Sequence, residues 1–177
     1  MTKVEGAPRT PRLRTARLDL VPLVPADAGE MVDVLSDPAL YTFIGGGPPG
    51  LRDLRRRYRR LAVGRSDDGT EAWHNWIVRL AVDGRAVGTL QATVSGERLS
   101  AEIAWVIGVL WQGAGYASEA AVALVGWLAD TGITTIVAHV HPSHAASAAV
   151  ARRARLAPTD EIEDGERVWR WTVDAGA

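Results

Sequence analysis

Cysteine is absent from the 177 residues, which removes disulfides, thiolate metal sites and a cysteine nucleophile together. A mechanism that holds an acyl group on cysteine is therefore excluded. Net charge is nearly absent too, at -1 with a pI near 6.4. The composition as a whole thus carries no sequence-independent attraction to phosphate backbones, and any nucleic-acid contact has to be local. No stretch approaches the roughly 20 apolar residues needed to cross a bilayer, and Met1 to Pro11 lack the apolar segment of a signal peptide. A soluble, cytoplasmic protein without membrane contact is expected. Internal repeats and dividing linkers are missing as well. With 47% hydrophobic residues the chain can bury one full core, so a disordered tail over residues 1–11 and one domain over 12–174 are expected.

Periodicity orders the elements that are present. Arg17 to Leu23 alternates as a strand, and Pro22 suits an edge. Pro25-Ala26-Asp27 opens a helix that Asp37-Pro38 stops. Gly45 to Gly50 is a loop. Leu51, Leu54, Tyr58 and Leu61 then recur at helical spacing over about 51–63, with arginines on the other faces. His74 to Val82 and Arg85 to Val94 form a hairpin across Asp83-Gly84, and Ala101 to Ile107 is a further strand. A helix with Ala117, Ala120, Ala121, Leu124 and Leu128 on one face follows. Thr134 to His141 reads as a strand, Ser143 to Arg155 as a helix, and Ile162 to Val173 as a hairpin turning at Asp164-Gly165.

The segment from Gly108 to Ala121 therefore reads strand, glycine loop, helix. Such a loop exposes backbone N–H groups that have no intrahelical partner, and the helix dipole adds positive potential there, so the site suits phosphate. The same glycines also serve as a tight packing turn, and spacing alone leaves both readings open.

The segment resembles the coenzyme A loop of the GNAT acetyltransferases, Gln/Arg-x-x-Gly-x-Gly/Ala, here Gln112, Gly115 and Ala117. Its flanks are similar to the branch holding the ribosomal-protein N-terminal acetyltransferases: Arg14-Thr15-Ala16-Arg17-Leu18, Val87-Gly88-Thr89-Leu90, Ala101-Glu102-Ile103 and Tyr116-Ala117-Ser118-Glu119-Ala120. The resemblance runs from about Leu13 to Val173. It implies an α/β (α+β) domain in which a mixed, strongly twisted sheet is flanked by helices. The Ala101 and Thr134 strands would run parallel and splay. The pantetheine arm would pair with backbone groups of Val106 and Ile107, and the amides of Gln112, Gly113, Ala114, Gly115, Tyr116 and Ala117 would hold the pyrophosphate.

After the parallel strand, relatives carry an asparagine and then a serine. Here His144 stands in the asparagine's place, where its ring can still donate a hydrogen bond toward the coenzyme, and Ser147 matches the serine. Arg155 stands where relatives have glycine. If that backbone needs positive φ, arginine there costs about 1 kcal/mol.

Amide formation needs a neutral amine, a polarised thioester and a proton for the departing thiolate. Glu102 lies on the strand entering the site, opposite Ile103 and Trp105 by alternation, and is the candidate base, its role favoured if it is buried beside the apolar residues of its strand. A strand-edge salt bridge is its structural alternative. Ser147 is the candidate hydrogen-bond donor to the thiolate, or else a helix-start hydroxyl. His74 is a reserve base. His139, His141 and His144 cluster, but no carboxylate or cysteine joins them at ligand spacing, so no metal site is expected and His139 suits the core. The tryptophans beside His74 read as packing.

The arginine run Arg52, Arg55, Arg56, Arg57, Arg59, Arg60 reads as a solvated helix face, with an RNA-bound acyl donor as the lesser alternative. These features point to an acetyl-coenzyme A dependent N-acetyltransferase whose acceptor amine is a protein N-terminus or a small molecule. A non-catalytic coenzyme A binding domain and a scaffold using aminoacyl-tRNA are the rivals. Nothing in the sequence chooses between a monomer and a homodimer.

Overall fold

The computed structural model describes residues 9–96 and 99–173. Strands β1 (Leu13–Arg14), β2 (Leu18–Pro22), β3 (Glu71–Leu80), β4 (Ala86–Ser95), β5 (Ser100–Ile107), β6 (Thr135–Val140), β7 (Ala157–Glu163) and β8 (Glu166–Thr172) form one sheet. Its order is β1-β2-β3-β4-β5-β6-β8-β7. Every neighbouring pair is antiparallel except β5 and β6. This is the mixed sheet with one parallel pair that the resemblance implies. The helices are α1 (Ala28–Val34), α2 (Leu51–Leu61), α3 (Tyr116–Asp130) and α4 (Ala145–Arg153), with 3-10 turns at Pro25–Asp27, Pro38–Tyr41 and Val109–Trp111.

Alternation along the strands divides the core into two layers. On one face Leu20, Trp76, Leu90, Ile103 and Ile136 pack against Leu124 and Leu128 of α3 and Val150 of α4. On the other, Ile77 packs with Met31 and Val34 of α1 and with Leu54 and Tyr58 of α2. Helix α2 buries only Leu54 and Tyr58 within its span, so the arginines around them stay outside. Leu51, expected in its apolar stripe, is 40% exposed.

The C-terminal strand pair turns at Asp164 (φ 49°) and Gly165 (φ 84°), both left-handed as a two-residue hairpin turn requires. Its first strand begins at Ala157, earlier than the apolar pattern suggests, because an exposed edge strand shows no buried alternation. Thr10 and Pro11, expected in the disordered tail, are tied to the sheet. Thr10 Oγ1 lies 3.1 Å from His74 Nδ1, and the Pro11 carbonyl accepts a 2.7 Å hydrogen bond from Trp76 Nε1. The remainder of that tail, residues 1–8, lies outside the described residues.

Candidate active site

The parallel ladder between β5 and β6 is short. It pairs Ser100 with Thr135, Ala101 with Ile136 and Glu102 with Val137, and β5 then continues to Ile107 without further pairing to β6. The splay leaves backbone groups of a central strand facing a gap. Gly108 N–H donates to the Val87 carbonyl at 2.8 Å, and antiparallel ladders alternate, so the even-numbered residues of β5 direct their backbone groups to β4. Val106, expected to offer its backbone to a pantetheine arm, therefore faces β4 with it and contributes its side chain to the cleft instead. Trp105 and Ile107 are the residues whose backbone meets the gap. The Ile107 carbonyl is already engaged by Gln112 Nε2 at 2.9 Å.

That bond revises Gln112 as well. Its backbone N–H closes the 3-10 turn onto Val109 O at 3.2 Å, and its side chain ties the loop to the end of β5. The backbone donor is thus taken, and one of the two side-chain N–H donors is spent on β5. From Gly113 onward the loop is open: Gly113 (φ 79°) and Gly115 (φ 82°) are left-handed, and the first α3 hydrogen bond returns only from Glu119 N–H to Gly115 O. The N–H groups at the start of this 15-residue helix have no intrahelical partner. This is a bare N-terminus suited to a pyrophosphate, and the glycines are needed for their φ. Ala114 points its carbonyl at Arg17 Nη1, 2.9 Å away, and Tyr116 lies under the Arg17 guanidinium, 4.8 Å from the ring centre.

Two clefts converge on the gap. One, of about 500 Å³, runs along Gly113, Gly115, Tyr116, Ala117 and Ser118. The second, of about 630 Å³, lies on the opposite side and is lined by Thr89, Gln91, Glu102, His139, His141 and Glu166. Phe43, Ile44, Trp105, Val106, His144 and Ser147 line both, so the clefts meet among these side chains. Phe43 stacks on His144 (4.4 Å between centroids, 20°) and lies 5.2 Å from His141. Phe43 and Ile44 were not singled out from the sequence; their signal is an apolar pair directly before the glycine run. Arg153, in the last turn of α4, also lines the first cleft and went unnoticed among its neighbouring arginines.

His144 is the N-terminal boundary residue of α4, which has no side-chain cap. Burial lowers its pKa and the neighbouring His141 acts in the same direction, against a weaker pull from Glu166. Ser147, on the first turn of α4, is half-buried where the clefts join.

Glu102 lies on the second cleft's wall, opposite Ile103 and Trp105 as alternation requires, but it is not buried. Its side chain is 58% exposed because Ile103 and Trp105 turn to the other face and Glu102 itself borders the open cleft. His139 does not face the core. It stands between Glu102 Oε1 (3.3 Å from Nδ1) and Glu163 Oε2 (3.0 Å from Nε2). Carboxylates thus do approach this histidine, brought from β5 and β7 by the fold and invisible as spacing. Among the described residues no group of three or more such side chains is arranged to hold a metal ion.

His74 cannot serve as a base in this cleft. It is 2% exposed on the α3 face, stacked on Trp76 and edge-on to Trp127, and burial lowers its pKa. Trp76 packs in the core as expected, whereas Trp73 is half-buried with the Arg60 guanidinium 5.9 Å from its ring centre.

The family model for an acetyltransferase (GNAT) domain matches residues 17–156. No curated protein is a detectable sequence relative. Among solved structures, the chain is similar to the ribosomal-protein α-N-acetyltransferase RimL in complex with coenzyme A, at 18% identity and a TM-score of 0.79, covering 94% of this chain and 100% of that one. It is also similar to an acetyltransferase from Agrobacterium tumefaciens (28%, TM-score 0.72, 92% and 95%) and to an aminoglycoside acetyltransferase with coenzyme A (19%, 0.71, 88% and 94%). With a family match spanning most of the sequence and the glycine loop and strand splay inside it, the chain belongs to the GNAT acetyltransferase family.

Proposed function

We propose that the protein is an N-acetyltransferase that moves the acetyl group of acetyl-coenzyme A to an amine by direct attack within a ternary complex. The observation that carries this reading is the meeting of two clefts at the β5–β6 gap, one leading from the open N-terminus of α3 and one from the opposite face. A thioester held along the first cleft would present its carbonyl to an amine entering the second, so positioning supplies much of the rate.

The loop from Gly113 to Ala117 and the start of α3 hold the pyrophosphate. The free Ile107 N–H and the Trp105 backbone align the pantetheine arm like an added strand. Glu102, steadied by His139, takes the proton lost by the amine as its nitrogen bonds to the acetyl carbon, directly or through water. As the carbon–sulfur bond breaks, the Ser147 hydroxyl donates a hydrogen bond to the sulfur. His144 orients the end of the arm beside Phe43. The acceptor is an α-amine at a protein N-terminus or a small-molecule amine. The unit performing this is the domain over 12–174, and a cytoplasmic setting suits its co-substrate. Among the described residues no helix is long and apolar enough to cross a membrane.

The test is thiol release from acetyl-coenzyme A across a panel of small amines and N-terminal peptides. Tight coenzyme binding with no release on any amine would replace this reading with a non-catalytic binding domain. Binding of aminoacyl-tRNA that weakens steeply with salt would point to a different acyl donor.

A further inference from the structure

A third cavity, of about 130 Å³, lies between α2, the loop around Gly47 and the middle of the sheet. Ile44, Arg57, Thr89, Gln91 and Val106 line both it and the 630 Å³ cleft, so it is a side pocket of the acceptor side. Its wall includes Tyr58, which is 2% exposed and whose hydroxyl has no hydrogen-bond partner among the described residues. Buried polar groups are nearly always paired, so an orphan hydroxyl lining a cavity calls for an occupant. Asn75, 8% exposed, adds an amide to the same wall. Burial raises the Tyr58 pKa far above the ordinary tyrosine range, with nearby Arg57 opposing only in part, so the hydroxyl keeps its proton and can donate.

We propose that this pocket binds an oxygen-bearing side chain, a carboxylate or carboxamide, on the second or third residue of a peptide acceptor, with the Tyr58 hydroxyl donating to its oxygen. The proposal rests on the acetyltransferase reading and names its acceptor class. Size supports it: at about 30 Å³ for each water-sized group, the cavity takes roughly four non-hydrogen atoms, as in an aspartate or asparagine side chain. Chemistry supports it as well. The Tyr58 hydroxyl and the Arg57 guanidinium both donate, which favours a ligand that brings acceptor oxygens. Position sets the residue. β4 separates Asn75 on β3 from β5, and two strand spacings make roughly 10 Å, which a peptide at about 3.3 Å per residue covers in two to three residues. The near wall, Ile44 and Val106, borders the meeting of the clefts, and a second or third residue is the one that reaches the far wall at Asn75.

The experiment measures thiol release from alanine tetrapeptide amides carrying Asp, Asn or Leu at position two or three, in the parent, Tyr58→Phe and Arg57→Gln. The parent is expected to favour Asp and Asn over Leu by about tenfold in kcat/KM at one position. Tyr58→Phe should erase both preferences, and Arg57→Gln chiefly that for Asp, while the KM for acetyl-coenzyme A stays unchanged. Arg57 is exposed on α2, so its variant folds whatever the fate of Tyr58→Phe. Peptide turnover with ratios untouched by Tyr58→Phe would show a pocket holding only water and overturn the proposal. Turnover of small amines but no peptide would also overturn it, leaving the acetyltransferase reading intact. Release on no amine at all would remove both.

Discussion

Arg17 and Glu119, 102 positions apart in sequence, clasp the residue before β2 to the first turn of α3 and the glycine loop. Arg17 Nε donates to Glu119 Oε2 at 2.7 Å, its backbone N–H to Oε1 at 2.9 Å, and its Nη1 to the Ala114 carbonyl at 2.9 Å. Thr15 Oγ1 donates to Glu119 Oε1 as well. Partial burial disfavours the Glu119 carboxylate, but the hydrogen bonds from Thr15 and Arg17 together hold its pKa below the ordinary carboxylate range. The stability this contributes is present above about pH 4.5 and is lost as pH falls through the lowered folded value.

Glu119→Gln should loosen the loop by weakening the grip on Arg17. Coenzyme affinity is expected to fall about tenfold, or about 1.4 kcal/mol, measured by calorimetric titration at pH 7. A lower melting temperature with unchanged affinity would show the clasp to be structural only.

Gly115→Val places a branched side chain at φ 82°. The added Cβ meets only Arg17 Nη2, at 3.5 Å, an ordinary contact, so the folding cost comes from the backbone and is about 1–2 kcal/mol. The larger effect falls on the coenzyme, whose pyrophosphate can no longer approach the backbone closely. Kd should rise at least about tenfold, and a value within about twofold of the parent would remove this loop from the binding site.

Arg155 adopts φ 66° just after α4, in the left-handed region that favours glycine. Arg155→Gly should therefore stabilise the protein by about 1 kcal/mol, raising the melting temperature by about 2–4 °C. Arg155→Ala, which keeps a Cβ, should show no such gain.

His74 is buried with its pKa below the ordinary 6.5. The unfolded chain then binds the extra proton first, so stability declines as pH falls below about 6.5 toward the folded value, by at most about 1.4 kcal/mol per pH unit. Denaturant melts of the parent and His74→Phe from pH 7.5 to 5 test this. The variant should lose that part of the slope while keeping acetyl transfer at pH 7.5, since His74 faces away from the clefts.

Ser147→Ala should lower kcat about tenfold with little change in coenzyme affinity, because its hydrogen bond strengthens as charge grows on sulfur. A kcat within about twofold would leave the serine a packing residue. For Glu102→Gln the acceptor matters. An α-amine of pKa near 8 is about a tenth neutral at pH 7, whereas a lysine amine is neutral in fewer than about one molecule in a thousand. The loss should accordingly be larger for a lysine-type amine than for an α-amine, and equal, full activity on both would take Glu102 out of the mechanism.

The order of elements, the glycine loop and the hairpin turn at Asp164-Gly165 were legible in the sequence, whereas the positive φ at Arg155 was raised only as a condition, through the resemblance. Each of the first three depends on backbone preferences of a few adjacent residues or on a repeating apolar pattern. The same locality places Glu102 and Ser147 on the strand and helix that border the gap. Backbone direction at Val106 was not legible, because which neighbour a strand residue addresses depends on register with β4 and not on side-chain type. Nor was the double engagement of Gln112, which requires knowing how a turn folds back on the strand before it.

By itself, then, the sequence determined the succession of strands and helices and the place of a glycine loop before a helix start, since periodicity, φ preference and helix termini are local properties. The tertiary structure alone decided that Glu102 is open to solvent beside His139 and Glu163, that His74 is buried behind the sheet, and that Phe43 roofs the junction of the clefts. Those outcomes depend on which distant strands pair and where they part. That choice is made by the whole core closing at once, and no single stretch of the chain encodes it.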